Sequence, residues 1–589
     1  MRFYRDVLQR CLLIISSLVI CFVIPTFAQV TTADITGRVL DQNGAAVPGA
    51  TITATHTGTG HTRVTQSNDD GNYTLSELVP GTYNVSVEAA NFSKVVVNAL
   101  ELNVGVSRTI NIDLKPGAIT ETVNVSSDLL QIETTRSDLG GVVTPLEVKN
   151  LPLLNRTFAA LSVIMPDARP VGNFDPTKTR VGNVAFSGGD GRQVDVNVDG
   201  GDNKDNVVGS LLQNFSYESI QEFQVLQHRW TAESGRSVGG VVNVISKSGT
   251  NDFHGSFFAN FRDEKLRALD FFDKQRKATN PAFTEANFSR QEIGGSIGGP
   301  IVRNDLFFFF ALERFRERQN VPVSAAAAAQ IPLIPGNDFV AEIPTPYNDT
   351  LLTAKIDHRL TPNQTMFYRF GYQKNDSPND QVPNPATTDL TGGNFTTNKL
   401  SSFVVNHTAT ISATKLNQFT FHFQDFKNEI LGVTTNPRLC FSACPAGGIE
   451  IGPNINTPQA TLERKFQFRD DFTMQAGNHG LKFGTNYIYT KLDGFFFFGS
   501  SGYTIGFFDS PAAIVAAGGF NRPGLVNFIQ FATGEASHKQ TLHQLAFYVQ
   551  DDWKVRPNLT FNLGLALGRQ HRQPSRPVHQ PDLFAAATA

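Results

Sequence analysis

The chain has 589 residues, of which only 17% are charged, and its 50 Lys and Arg nearly balance 53 Asp and Glu. That balance excludes the basic footprint of a nucleic-acid binder. Four cysteines exclude a disulfide scaffold and lack the paired spacing of a zinc site. Phenylalanine is abundant, at 48 residues, yet long apolar runs are missing.

Residues 1–28 read as an export signal. Arg2, Arg5 and Arg10 give a positive start, Cys11 to Ile24 an apolar stretch, and Thr26-Phe27-Ala28 small residues at the −3 and −1 positions. The stretch is shorter than the ~20 residues a membrane-spanning helix needs. Leu18 to Cys21 offers a lipoprotein alternative, against which bulky Ile20 argues. The exported chain is expected to carry no transmembrane helix.

Residues 30–116 alternate over short runs such as Ile35 to Val39 and Thr82 to Val87, separated by turn chemistry at Asn43-Gly44, Pro48-Gly49, Asp70-Gly71 and Pro80-Gly81. A small β-sandwich is expected. The pieces Gly37-x-Val39-x-Asp41, Val47-Pro48-Gly49-Ala50, Asp70-Gly71-Asn72-Tyr73 and Leu78-x-Pro80-Gly81-x-Tyr83 resemble the carboxypeptidase regulatory-like domain, with Asn91-Phe92 where that family closes on Gly-Phe. The resemblance implies a carbohydrate-binding-like sandwich. It does not imply a peptidase: His56 and His61 have no Glu arranged beside them and are expected to be solvated loop residues.

Within residues 117–126, Glu121-Thr122-Val123-Asn124-Val125 places β-branched residues at alternate positions. Such a segment either ends the sandwich as its last strand or adds to a partner's sheet edge. Residues 127–250 then carry Leu151-Pro152-Leu153-Leu154-Asn155-Arg156, Val198-Asp199-Gly200-Gly201-Asp202-Asn203, Ile220 to Val225, Ala232 to Arg236 and Gly239 to Thr250. Their order resembles the plug domain of TonB-dependent outer-membrane receptors, in the Oar-like branch with an N-terminal sandwich. The resemblance implies that Glu121, Thr122, Val123, Asn124 and Val125 form the TonB box. It also implies a TonB-type periplasmic energy transducer as partner and uptake of a large solute, with carbohydrate among the candidates. The competing reading is an outer-membrane binding or adhesion protein that uses the sandwich and loops to hold a polysaccharide without transport.

From residue 251 to 567 the period is 2. Leu352, Ala354 and Ile356 alternate with Thr353, Lys355 and Asp357; Phe419, Phe421 and Phe423 alternate with Gln418, Thr420 and His422. Leu481, Phe483, Tyr487 and Tyr489 are set against Lys482, Gly484 and Asn486, and Leu559 to Leu567 continue the pattern. One apolar and one polar face suit a lipid-embedded barrel with a polar lumen, and girdles of Phe and Tyr would account for the phenylalanine. The expected fold class is all-β: an N-terminal β-sandwich, an α+β plug, and an incomplete antiparallel transmembrane β-barrel in the Gram-negative outer membrane, with sandwich and TonB box on the periplasmic side.

No enzyme, cofactor, metal or nucleic-acid role is expected. Gly294-Gly295-Ser296-Ile297-Gly298 matches a nucleophile elbow, but Gly299-Pro300 and a strand-like run follow, not a helix. Glu264, Lys265, Asp270 and Asp273 read as a solvated loop, Ala325 to Ala329 as a low-complexity loop, and Cys440 and Cys444 as candidates for a short disulfide. About eleven strands are expected, against 22 in the receptors resembled. After Leu567 the alternation is expected to stop, leaving 568–589 as an aberrant tail of a truncated product, with two open sheet edges.

Overall fold

The computed structural model describes residues 32–574 apart from 118–121, 127–138, 152–160, 172–182, 187, 210, 229–230, 235–236, 270, 280–284, 286, 381–386, 443–447, 498–501, 532–535 and 557–558. The export segment, Glu121, Leu151-to-Arg156 beyond its first residue, Asp270 and Cys444 thus lie outside the described residues. Among the described residues no helix is long and apolar enough to cross a membrane.

The sandwich contains β1 (Ala33–Asp41), β2 (Thr51–His56), β3 (Thr62–Gln66), β4 (Asn72–Leu78), β5 (Gly81–Glu88), β6 (Lys94–Leu102), β7 (Ser107–Thr109), β8 (Ile112–Leu114) and β9 (Thr122–Ser126). One sheet runs β4-β1-β7 with β8 also on β1; the other runs β3-β2-β5-β6-β9. Alternation closes the core: β5 buries Tyr83, Val85 and Val87 against Ile35, Ile52 and Val97. The sequence motif has a steric cause. A Cβ on Gly37 would lie 1.8 Å from the Ile110 carbonyl oxygen, which also accepts the Tyr73 hydroxyl at 2.8 Å. Asp41 closes its turn by accepting the Asn43 and Ala45 amides.

The plug contains β10 (Leu139–Val143), β11 (Arg169–Val171), β12 (Asn183–Ala185), β13 (Val194–Val198), β14 (Gly201–Asp202), β15 (Ile220–His228) and β16 (Gly240–Ser246). Its main sheet runs β10-β15-β16-β13-β14, with β13 and β16 parallel. The helix Pro145–Asn150 starts with a capping box between Thr144 and Glu147. Every residue of β13 and β16 is buried. One face meets an apolar cluster around Phe223 and Val244; the other carries Asn197, Asn243 and Gln224, which bond one another. A sheet buried on two chemically different faces needs a polar enclosure.

The sandwich meets that face, where Gln224 donates to the Gly105 carbonyl at 3.5 Å, and the barrel wall bonds the turn and loop beside it through Gln467 and Gln373. Eleven long antiparallel strands follow: β17 (His254–Asp263), β18 (Phe288–Val302), β19 (Leu306–Pro322), β21 (Tyr347–Thr361), β22 (Gln364–Pro378), β23 (Asn394–Ser412), β24 (Lys415–Gly432), β27 (Gln459–Ala476), β28 (His479–Phe496), β31 (Ser537–Arg556) and β32 (Leu559–Pro574), with short β20 (Glu342–Pro344) on β19. Short turns at one end alternate with long connections at the other. Thr353, Lys355, Gln418, Thr420 and His422 face inward and are buried, while Ile356 and Phe419 are exposed outward. The phase read from the sequence is therefore the phase of the wall. β32 continues to Pro574, with Gly568 to Pro574 paired onto β31 from Ala546 back to Gln540, so the strand outlasts the alternation that ends at Leu567. Backbone pairing, not side-chain period, carries those residues. Among the described residues no pairing joins β17 to β32, and the sheet stays open.

Above the long-connection end, β25 (Arg438–Phe441), β26 (Ile449–Ile451), β29 (Tyr503–Phe507) and β30 (Val526–Phe531) form a four-stranded sheet. It has its own apolar core, in which Phe441 stacks on Phe507 at 4.6 Å. Ala325–Ala328 is a short helix capped by Ser324 and packed into this core rather than a loop, because Ala327 and Ile331 are needed to close it. Cys440 is buried there and disulfide-bonded.

Candidate functional site: the plug clamp and the partner strand

Sequence reading missed the site where plug and wall are joined most tightly. β13 and β14 are linked by Asp199-Gly200, both with positive φ (50° and 80°), a hairpin that glycine favours. The two carboxylates flanking this turn point into the wall. Asp199 pairs with Arg369 at 3.0 Å and lies 3.9 Å from Lys355, and Asp202 pairs with Lys465 at 2.7 Å. Asp199 also accepts the amide and hydroxyl of Ser246, which ties the turn to the end of β16. Arg369 donates to Ser402 and to the Val198 carbonyl and lies over the Phe215 ring. Lys465 donates to the Lys204 carbonyl and sits 3.4 Å from Glu463, which holds Asn206. Arg369 and Lys465 are 1% and 0% exposed, so neither charge reaches water and each depends on its partner. Gly201 has a separate reason: a Cβ there would meet the His422 ring at 2.9 Å. The signal that could have found the clamp is acid–Gly–Gly–acid in the plug, matched by basic residues at inward positions of β21, β22 and β27.

The partner-strand residues lie elsewhere. Thr122, Val123, Asn124 and Val125 belong to β9, whose register on β6 is parallel: Thr122 with Lys94, Val123 with Val95, Asn124 with Val96, Val125 with Val97. Glu121 falls outside the described residues. In this structure the segment is the edge strand of the sandwich.

The sandwich itself rests on the short-turn rim. Asn72 donates to Asn478 in the β27–β28 turn at 3.2 Å, Thr65 to the Ala413 carbonyl at 3.3 Å, and Glu77 approaches Lys482 at 3.6 Å. It also touches the plug, where the Val104 amide donates to Glu222 at 2.6 Å. Burial pushes the Glu222 carboxyl up to about 8, against the lowering effect of that amide. Burial likewise raises Asp34 and Glu233, each opposed by Lys482.

Family profiles and relatives fit this geometry. The profile described as "Outer membrane beta barrel domain" matches residues 245–330 and 320–566. The chain belongs to the outer-membrane β-barrel family. Residues 34–115 match the carboxypeptidase regulatory-like domain. The chain is similar to the TonB-dependent transporter Oar of Myxococcus xanthus, 27% identical over 294 residues, which is 48% of this chain and 26% of that one. It is similar in fold to the outer membrane transporter YddB from Escherichia coli, with a TM-score of 0.53 and 13% identity over 73% of this chain and 56% of that one. The chain thus spans about a quarter of the curated relative and little over half of the solved structure.

Other candidate residues take ordinary places in this outer-membrane barrel. Gly294 to Gly298 lie inside β18, paired with β19, and form no strand–turn–helix elbow. His56 and His61 are half-buried, not freely solvated loop residues. His56 accepts from the Gly58 and Thr59 amides and packs edge-on to Tyr83 at 5.0 Å, and burial lowers it to about 4. His61 is also lowered by burial. Docking of the sandwich on the rim leaves both half-buried. Both line a cavity of about 240 Å³ between sandwich, plug and wall, with Lys355, Asp357 and Arg359 opposite. Asp263 caps Glu264–Leu266, and Asp273 sits in the helix Phe271–Thr279, so the acidic loop is locally folded.

Proposed function

We propose that this chain is a TonB-dependent receptor segment for energised uptake of a large solute, with the sandwich, the short turns and β9 on the periplasmic side. The observation that carries the reading is an ordered plug held inside an outer-membrane barrel wall, with an edge strand at its N-terminal approach. A periplasmic TonB-type transducer pairs with Glu121 to Val125 through backbone hydrogen bonds and draws on the plug. The family likeness is to transporters, and no reaction is assigned to the chain.

The barrel as described is not sufficient for a pore. β17 and β32 each expose one row of backbone donors and acceptors, which hydrocarbon does not tolerate. We infer that further strands, beyond those described, pair with these two edges. Heat-modifiable migration of the 589-residue product by itself, the mark of a closed barrel, would reject this.

The partner assignment is tested with Val123→Pro, which removes one backbone donor from β9. Wild-type chain is expected to be captured by the periplasmic domain of a TonB-type transducer, and the variant to lose that capture while its circular dichroism is unchanged. Equal capture of both rejects Glu121 to Val125 as the contact.

A further inference from the structure

Cross-strand register places three outward-facing lysines side by side. Lys374 on β22 is opposite Lys399 on β23, and Lys399 is opposite Lys427 on β24. All three are exposed, while their inward neighbours Gln373, Leu400 and Phe426 are buried. Directly opposed residues bring their Cβ atoms to about 5 Å, and like charges so placed are destabilising. Something must offset that repulsion.

The protein does so only in part. Two residues further along, the next outward row is Asp376, Thr397 and Glu429, also directly opposed. Asp376 pairs with Lys374 at 3.2 Å and Glu429 with Lys427 at 2.9 Å. Thr397 takes the middle place, so Lys399 has no carboxylate within 4 Å among the described residues. Arg314 lies in the same register row, separated from Lys374 by Thr350, to which it donates.

The height of the row on the wall identifies its partner. Four residues along each strand toward the short-turn end lies an outward aromatic row, Phe370, Phe403 and Phe423, continued by Phe466 and Tyr489. At about 3.3 Å per residue the lysines stand roughly 13 Å along the strand from that girdle, toward the long connections. Aromatic girdles mark the boundary of the hydrocarbon. Cations just beyond it meet the headgroup layer, not acyl chains and not bulk water.

We propose that Lys374, Lys399 and Lys427 form a binding site for the phosphate-bearing headgroup of an anionic lipid in the external leaflet, with Lys399 as its centre. The inference rests on the outer-membrane placement of the wall and on the long connections being external; it does not depend on TonB or on transport.

The test uses the full chain in mixed detergent–phosphatidylcholine micelles, where detergent covers the two open sheet edges, with or without a bis-phosphorylated glycolipid. The wild type is expected to retain the glycolipid through purification, and a wild type that retains none overturns the proposal. Lys399→Gln should weaken retention about fivefold and the triple variant Lys374→Gln/Lys399→Gln/Lys427→Gln about a hundredfold, since each basic residue near an anionic surface contributes a comparable factor. A control triple, Lys115→Gln/Lys149→Gln/Lys274→Gln, should retain it as wild type does. Equal retention by both triples overturns the proposal. Release by millimolar inorganic phosphate at constant ionic strength would show a free-phosphate site and overturn the lipid assignment.

Discussion

The sandwich and the barrel bury opposite chemistries. The sandwich interior is Ile35, Ile52, Val85, Val87 and their neighbours, closed by an ordinary hydrophobic core. The barrel's most completely buried large side chains include Arg369, Arg469 and Lys465, while Phe370, Phe468 and Leu563 stand on its outside. Both regions alternate with period 2, so the same pattern is folded in one case with its apolar face inward and in the other with it outward. The difference is the enclosing medium. A sandwich excludes water by itself; the wall of a membrane barrel has lipid on one side and, here, a polar plug on the other.

The contrast sets where damage should be local and where it should propagate. The largest effect is expected at the clamp. Arg369→Met leaves Asp199 buried without its closest cation, at a cost of about 3–5 kcal/mol to plug docking. Limited proteolysis should then cut the plug between residues 139 and 250 while the sandwich stays resistant. A plug as protected as wild type would show that Lys355 and the Ser246 bonds hold Asp199 alone.

Next is the sandwich–plug contact at Glu222. Its folded value, about 8, lies above the ordinary 4.5. The folded state therefore holds a proton that the unfolded state releases across that window. Stability contributed by the neutral carboxyl is full below about 4.5 and is lost as pH rises toward 8, at up to roughly 1.4 kcal/mol per pH unit. Hydrogen exchange at the Val104 amide, corrected for intrinsic rate, should lose protection from pH 5 to 8. Glu222→Gln should flatten that dependence, and a slope that survives the substitution would place the titration elsewhere.

The smallest effect is expected inside the sandwich. Ile52→Val removes one methylene from a site with no exposure and should cost about 1 kcal/mol. The loss should appear in sandwich unfolding alone, with plug protection unchanged. Coupled loss of both would mean that the Val104–Glu222 contact binds sandwich and plug into one cooperative unit.

Much of this was legible in order along the chain. Period 2 with turn residues determined the strands, and the Asp41 and Gly71 positions marked the sandwich turns, because steric limits on backbone conformation are local. The inward and outward faces of β21 and β24 were also readable, since polar and apolar sets separate cleanly there. The end of β32 was not: Gly568 to Pro574 pair through backbone groups whatever their side chains are. Nor were the burial of His56 and His61, the clamp between Asp199 and Arg369, or the lysine row. Each of these joins residues brought together by strand register or by domain docking, often across more than a hundred positions. A sequence states which faces a strand has; only pairing decides which residue of another strand stands opposite, and in this chain that choice places the charges.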